Sequence, residues 1–148
     1  MLNPSIAEIV LTEAALLDPR VTYNDDTITA WDRVFADEPV FVSDALKAVR
    51  VHYKKPRAKR LLPGDVVTYC REQPIWSSAE RANYFLDEWT QHPYATAIHD
   101  VSGIRQPEAV LDAPDRETAV AELTRWVDGN RETLVNAILT NRGRPTAY

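Results

Sequence analysis

Residues 40–54 read VFVSDALKAVRVHYK, and this stretch decides the fold class. Its apolar side chains recur every three or four residues, which is the spacing of one face of an α-helix. The positions on that face are Val42, Ala45, Leu46, Val49 and Tyr53. Basic residues gather at the carboxyl end, where they suit the negative end of the helix dipole. We therefore expect an amphipathic helix with one buried face.

Helical patterns of the same kind flank this stretch on both sides. The first begins at Asn3-Pro4 and ends at Asp18-Pro19, the second follows Asp25-Asp26 and ends at Glu38-Pro39, and a third opens at Pro63. The apolar side chains that define them are Ile6, Ile9, Val10, Leu16 and Leu17, then Ile28, Trp31, Val34 and Phe35, then Val66, Val67 and Cys70. Four short helices with short connections predict a compact bundle domain over residues 1–73.

The second half of the chain carries three more helical patterns. Residues 73–76 (QPIW) indicate a linker between the halves. Ser77 and Glu80 have the spacing of a capping box, which satisfies two free backbone donors at a helix start. The other two helices are expected to begin at Pro114 and at Asn130, the latter acting as an N-cap.

A long irregular stretch interrupts these patterns. Residues 92–114 contain three Pro and one Gly and have no clear periodicity. We expect a long loop with one turn there, of the kind that is often functional.

Taken together, the three helical patterns predict that residues 74–148 form a helical segment. This segment either packs on the bundle or makes a partner-binding subdomain.

The composition of the 148-residue chain favours an all-α protein. Apolar residues make up 45% of it, and only 4 Gly are present. Cys70 is the only cysteine, so an internal disulfide is excluded and a reducing compartment, the cytoplasm, is the expected location. No apolar run is long enough to predict a membrane span.

Motifs for catalysis or cofactor binding are absent from the sequence. There is no glycine-rich Lys-Ser/Thr loop that could hold nucleotide phosphates, and no Gly-x-Ser-x-Gly nucleophile elbow. The histidines His52, His92 and His99 do not have metal-ligand spacing, and no second cysteine is available for a zinc site. We therefore expect a non-catalytic protein without cofactor or metal.

Charge is distributed unevenly along the chain, whose net charge is −5. Residues 1–49 hold nine acidic and three basic residues, and residues 61–148 hold thirteen acidic and eight basic ones. Residues 50–60, called the basic segment below, hold no acidic residue. Its six basic residues are Arg50, Lys54, Lys55, Arg57, Lys59 and Arg60. Such a cluster is the main electrostatic feature of the chain.

The basic segment is the strongest candidate for a binding site. Three interpretations stay open: a solvated charged loop, contact with DNA phosphates, or docking on an acidic protein. Tyr53 is its only aromatic neighbour, whereas surfaces that stack single-stranded bases interleave several aromatic side chains. A second candidate is Trp76, since a tryptophan in a linker is hard to explain as core and tryptophan is common among interface anchors.

Residues 27–72 carry a family resemblance. Trp31 lies in one predicted helix, residues 45–49 (ALKAV) and His52-Tyr53 lie in the next, and residues 62–66 (LPGDV) open another. This pattern resembles the phage replicative-helicase loader/inhibitor family. Its members are small helical proteins, so the resemblance implies the same fold class for the first half of this chain.

The resemblance also implies a function. Members of the family bind a DnaB-type hexameric helicase, restrain it and deliver it to an origin-bound initiator. Because this sequence contains no P-loop, a loader that hydrolyses ATP with that motif is excluded and a non-ATPase loader stays open. In the family a flexible tail follows the helical domain and engages the helicase. Here the second half looks helical and contains tryptophan, so the role of that tail cannot be carried over. If a phage encodes the chain, the cytoplasm is that of the host bacterium.

Three functions are therefore expected as alternatives. The first is an accessory replication protein that binds and regulates or loads a DnaB-type helicase, based on the resemblance. The second is a small helical DNA-binding regulator that uses the basic segment. The third is an inhibitor or adaptor of another host protein, based on small size and an acidic surface.

Overall fold

Helices are the only regular elements in the computed structural model, which describes residues 3–144. This confirms the all-α fold class. The helices are α1 (Ile6–Leu17), α2 (Asp25–Phe35), α3 (Val42–Tyr53), α4 (Pro63–Glu72), α5 (Ala79–Trp89), α6 (Ala97–Ser102), α7 (Glu108–Leu111), α8 (Arg116–Gly129) and α9 (Arg131–Asn141). None of the helices in this range is long and apolar enough to cross a membrane.

The chain divides into two compact units between Gln73 and Pro74. In the first unit α1 packs against α2 and α3, and α4 packs against α3 and α2. Its core is apolar and continuous, as expected for a small bundle. The central buried side chains are Val10, Leu11, Ala45, Val49, Leu61, Val66 and Cys70.

Helix α3 matches the sequence expectation closely. Ala45 and Val49 are fully buried, and Leu46 and Tyr53 are half-buried, while Val42 at the first turn is exposed. Two other expected core positions are wrong: Leu16 is 79% exposed and Leu17 is also exposed. Leu16 and Leu17 lie on the solvent-facing side of the last turn of α1, while Ala14 and Asp18 on its other side are buried. Val34 in α2 is exposed as well.

Two helix starts in the first unit differ from the prediction. The N-cap of α1 is Ser5 and not Asn3, because the Ser5 hydroxyl accepts a hydrogen bond from the Glu8 N–H at 3.2 Å. The cap of α2 is Asn24, whose side-chain oxygen accepts from the Thr27 N–H at 2.9 Å. In both cases a short polar side chain satisfies a free backbone donor one or two residues away from the predicted position.

The second unit is built from α5 to α9 around its own core. Helix α9 packs against α5, α6 and α8. The fully buried side chains include Leu86, Ile98, Val110, Leu123, Val127, Leu134 and Ile138. They come from all five helices of this unit, so the two short helices, α6 and α7, also contribute to the core.

The prediction of a long loop over residues 92–114 is wrong. This stretch contains α6 and α7, so five helices follow the bundle where three were expected. Each contributes a single large buried side chain, Ile98 or Val110, which is too little to produce a visible periodicity in the sequence. Helix α6 ends in the ordinary way at Gly103, which adopts a left-handed conformation with φ of 75°.

Two caps in the second unit are also corrected. Ser78, and not Ser77, caps α5 by accepting a hydrogen bond from the Arg81 N–H at 3.1 Å, so the capping box with Glu80 does not form. Asn130 makes no side-chain cap at the start of α9; it donates instead to the carbonyl of Trp126 at 2.8 Å, at the end of α8. Adjacent polar residues offer equivalent caps, and sequence alone does not choose between them.

Candidate functional site

The basic segment joins the end of α3 to the start of α4 in the first unit. Arg50 lies in the last turn of α3, Lys54 caps its carboxyl end, and Lys55 to Arg60 form the connection. All six basic side chains are exposed. Arg57 has a φ of 59°, a left-handed conformation that turns the chain back sharply at this point.

Five of these six cations carry charge that the described chain does not neutralise. Arg50 approaches Glu13 of α1 at 3.8 Å. Within residues 3–144 no ion pair involves the remaining five, which are Lys54, Lys55, Arg57, Lys59 and Arg60. The segment therefore offers a concentrated positive potential to a partner.

Three hydrogen bonds anchor the backbone of the basic segment and the residue after it. His52 Nε2 donates to the carbonyl of Lys59 at 2.5 Å. Arg20 Nη2 donates to the carbonyl of Ala58 at 2.7 Å. The Leu61 N–H donates to the Tyr53 hydroxyl at 3.1 Å. A connection whose backbone is hydrogen-bonded in this way has a defined conformation and is not a freely moving loop.

Asp18 holds two of these anchors in place. Its side chain, only 3% exposed, accepts from Arg20 Nε at 2.9 Å and from Arg20 Nη2 at 3.0 Å. It also accepts from the Tyr53 hydroxyl at 2.7 Å. We call Asp18, Arg20 and Tyr53 the Asp18 network. This network joins the end of α1 to the end of α3. It therefore holds both the start of the basic segment, at the end of α3, and the backbone at Ala58 and Leu61.

The electrostatics of the Asp18 network keep its hydrogen bonds in one arrangement. The Arg20 guanidinium, helped by the Tyr53 hydroxyl, holds the pKa of the Asp18 carboxyl well below its ordinary value despite the opposing effect of burial. Burial, together with Asp18, raises the pKa of Tyr53. Asp18 therefore stays an acceptor and Tyr53 stays a donor at neutral pH.

A cleft lies along the basic segment on the side of α4. Its volume is about 340 Å³, and four of its nine lining residues are Lys or Arg. The lining residues are His52, Lys55, Pro56, Arg57, Ala58, Lys59, Arg60, Leu62 and Asp65. The Asp65 carboxylate is occupied, since it accepts from the Leu62 N–H at 2.8 Å at the start of α4. The cleft is thus suited to negatively charged groups.

Trp76 lies in the second unit, while the six basic residues lie in the first. Its half-buried side chain packs against the core of the second unit. Gly143 lies directly against the indole, and a Cβ at that position would collide with the ring. The expectation that a tryptophan at this position is hard to explain as core is therefore corrected. Its role in partner binding stays a prediction.

The other candidates for chemistry are dispersed. Among residues 3–144 no group of three His, Cys, Asp or Glu side chains could hold a metal ion. Cys70 is fully buried in the core of the first unit. His92 lies against the Trp89 ring, with ring centroids 5.0 Å apart.

Sequence reasoning identified the basic segment but missed what shapes it. In the sequence Asp18 indicates only the end of a helix, and no pattern assigns a role to Arg20. Asp18 lies 35 residues before Tyr53, so only the packing of α1 against α3 brings them together. One signal for the pair of Asp18 and Arg20 is present in the sequence: an acidic residue and a basic residue flank a proline at positions 18–20 (DPR).

No protein-family model matches the chain, and comparisons with curated proteins and with solved structures give no significant match. The resemblance of residues 27–72 to helicase loaders accordingly stays a prediction. The function must be argued from the basic segment and its surroundings.

Proposed function

We propose that this protein acts by binding, without catalysis, and that the basic segment docks on an acidic surface of a DnaB-type replicative helicase, which the protein regulates or loads. The observation that carries the proposal is the combination of five cations that form no ion pair within residues 3–144 with a backbone anchored by the Asp18 network. Positive charge draws an acidic partner in and orients it.

Preorganisation adds to the strength expected of this surface. Ordering a mobile loop on binding costs conformational entropy, and that cost is smaller where the backbone is already held. Here Ala58, Lys59 and Leu61 are tied by hydrogen bonds before any partner arrives. The backbone that carries Lys59 and its neighbours is therefore held in one course, which favours one complementary acidic surface over a general attraction to negative charge.

The helicase is named as the partner because of the resemblance in residues 27–72. That stretch begins inside α2 and ends at the end of α4, so it contains the whole basic segment. The residues that carry the resemblance lie in α2, in α3 and at the start of α4, and Tyr53 is one of the residues that shape the basic segment.

Contact with DNA phosphates is the second candidate. The five cations of the basic segment that form no ion pair within the described part of the chain would give salt-dependent phosphate binding. The aromatic contribution to such a surface is small, since the hydroxyl of Tyr53 is engaged with Asp18 and its ring is half-buried. A DNA contact through this segment would therefore be electrostatic and independent of sequence.

The test is an affinity capture from extract of the native cell, with nuclease added and the captured proteins identified by mass spectrometry. The intact protein is compared with a triple variant, Lys54→Ala, Lys55→Ala and Arg57→Ala. A matched control removes three exposed cations elsewhere, Lys47→Ala, Arg33→Ala and Arg105→Ala. We expect a DnaB-type helicase to be the main captured protein, at least tenfold reduced in the segment variant and unchanged in the control.

Other outcomes would reject the proposal. Equal capture by the segment variant would exclude the basic segment as the contact. A different main protein would point to an inhibitor or adaptor of another target. Loss of all captured protein on nuclease treatment, with steep salt dependence, would favour direct DNA binding.

A further inference from the structure

A second depression, called the α3–α4 groove below, runs between α3 and α4 in the first unit. Its volume is about 420 Å³. His52, Lys55 and Asp65 line both this groove and the cleft along the basic segment, so the two adjoin. A molecule that docks on the basic segment can therefore continue into the groove.

Each wall of the α3–α4 groove is one stripe of a helix. The stripe of α3, continued just past its end, consists of Ala48, Val51, His52 and Lys55. The stripe of α4 consists of Asp65, Thr68, Tyr69 and Glu72. Both sets have the spacing i, i+3, i+4 and i+7, which places four side chains in a row along one helix face. The walls are thus about 10 Å long, the rise of two helical turns.

The middle of the groove exposes apolar side chains. Val51 is 40% exposed on one wall, and Tyr69 on the opposite wall is half-buried. Ala48, which is almost fully buried and has a small side chain, lies at the floor between them. In the adjoining cleft Leu62 is 51% exposed. A partner that covers Val51 and Leu62 would remove apolar surface from water.

The two ends of the combined depression carry opposite charge. Four cations and one carboxylate, Asp65, line the cleft. The four are Lys55, Arg57, Lys59 and Arg60. At the far end of the groove, the exposed carboxylate of Glu72 forms no ion pair within residues 3–144. A segment that lies along the depression therefore meets positive charge at one end and negative charge at the other.

The walls of the groove favour a helix over an extended peptide. Backbone N–H and C=O groups inside α3 and α4 bond within their own helices, so an extended peptide would find no backbone partners there. A docked helix satisfies its own backbone groups and presents apolar side chains at the same i, i+3, i+4 and i+7 spacing.

We infer that the α3–α4 groove receives an amphipathic helix of the protein partner. This helix places carboxylates over the basic segment, apolar side chains over Val51 and Tyr69, and a cation beside Glu72. The inference rests on the proposed docking role of the basic segment and adds the shape and chemistry of what docks. The exposed apolar side chains select the apolar face of the helix, and the charges at the two ends select its direction.

The test uses two fluorescein-labelled peptides of about 18 residues, long enough to form a helix on binding. The Leu peptide has Glu in its first turn, Lys in its last turn and Leu at i, i+3, i+4 and i+7 between them, and the Gln peptide has Gln in place of each Leu. Binding to the full chain is followed by fluorescence anisotropy. We expect the Leu peptide to bind about tenfold more tightly, because only its apolar face covers the groove.

A pair of valine variants separates the groove from general charge. Val51→Gln places a polar side chain in the middle of the groove and should remove most of the preference for the Leu peptide. Val34→Gln is the matched control, since Val34 is 45% exposed in the last turn of α2 and lines neither the groove nor the cleft. It should leave both affinities unchanged. Far-UV circular dichroism checks that each variant is folded.

A pair of glutamate variants tests the direction of the helix. Glu72→Lys should weaken the Leu peptide and strengthen a third peptide whose terminal Lys residues are replaced by Glu. Glu88→Lys makes the same charge reversal at an exposed position in the last turn of α5, in the second unit, and should change neither affinity. Equal effects of the two reversals would overturn the assigned direction.

The remaining outcomes also have defined meanings. Equal affinities for the Leu and Gln peptides, no binding of either, or equal losses from Val51→Gln and Val34→Gln would overturn the groove as a helix site. A thymidine strand that binds more tightly than the Leu peptide and is weakened by Val51→Gln would overturn it in favour of nucleic acid.

The docking role of the basic segment is tested separately, by capture of the helicase. Capture that is reduced in the Lys54, Lys55 and Arg57 variant but unchanged in Val51→Gln would reject the groove alone. Capture that is undiminished in the segment variant would reject the docking role, whereas the groove would still be judged by the preference for Leu and its loss in Val51→Gln.

Discussion

At the scale of single residues, Tyr53 makes the hydrogen bonds that shape the basic segment. Its hydroxyl donates to Asp18 and accepts from the Leu61 N–H in a half-buried position. We expect Tyr53→Phe to lower the free energy of unfolding by about 2 kcal/mol, since both partners lose a bond that water replaces only in part. Urea-induced unfolding followed by far-UV circular dichroism measures the difference.

Tyr23→Phe is the matched control for this change. The Tyr23 hydroxyl also makes one hydrogen bond, to the Thr12 hydroxyl at 2.8 Å, but at an exposed surface. Water takes over such a bond, so the expected loss is below about 1 kcal/mol. Equal losses for the two variants would contradict a structural role for the buried hydroxyl.

Asp18 gives the folded state a dependence on pH. Because Arg20 lowers the pKa of this carboxyl in the folded state, stabilisation by Asp18 is fully present above the ordinary aspartate pKa of about 3.9. It is lost as the pH falls through the lower folded-state pKa. We expect the stability difference between the wild type and Asp18→Asn to be constant from about pH 7 to pH 5 and to shrink below about pH 4. Urea unfolding at each pH tests this, and a difference that grows on acidification would contradict it.

The site residues differ in how visible they are in the sequence. The six cations are neighbours along the chain, so composition alone finds them. Asp18 and Arg20 join Tyr53 only through the packing of α1 on α3, and Val51 and Tyr69 line one groove only in the folded bundle. Contacts between residues this far apart in sequence leave no local pattern.

At the scale of elements, helix starts depend on single caps. Ser78 begins α5 by accepting the Arg81 N–H. We expect Ser78→Ala to lower the free energy of unfolding by about 1 kcal/mol, because this donor is then left without its partner. Ser43→Ala is the control: Ser43 is an exposed serine in the first turn of α3 that does not cap this helix, so the change in the free energy of unfolding should be small. Denaturant unfolding compares the two variants. An equal loss in the free energy of unfolding would mean that Ser78 is not the residue that caps α5.

The length of each helix explains whether the sequence predicts it. Helices α1 to α5, α8 and α9 are ten residues or longer and repeat their apolar spacing over several turns. Helix α7 has only four residues and α6 six, so neither completes two turns. Both depend on packing with α8 and α9 for their stability, and that packing is a tertiary property.

At the scale of the whole molecule, each of the two units has its own apolar core. The charge is divided just as clearly, since a chain of net charge −5 concentrates six cations in residues 50–60. Acidic residues over the rest of the chain repel nucleic acids and other polyanions. The attraction of such polyanions to the protein as a whole is therefore limited. The segment can then act only where a partner fits closely enough to reach it.

The three anchors of the basic segment also affect how proteases meet this chain. Six lysine and arginine residues within eleven positions would make an ordinary exposed loop an early target of trypsin-like enzymes. Here the backbone at Ala58, Lys59 and Leu61 is tied to side chains outside the connection, so cleavage requires local opening first. We therefore expect these hydrogen bonds to slow trypsin cleavage at residues 57–60 in the folded protein.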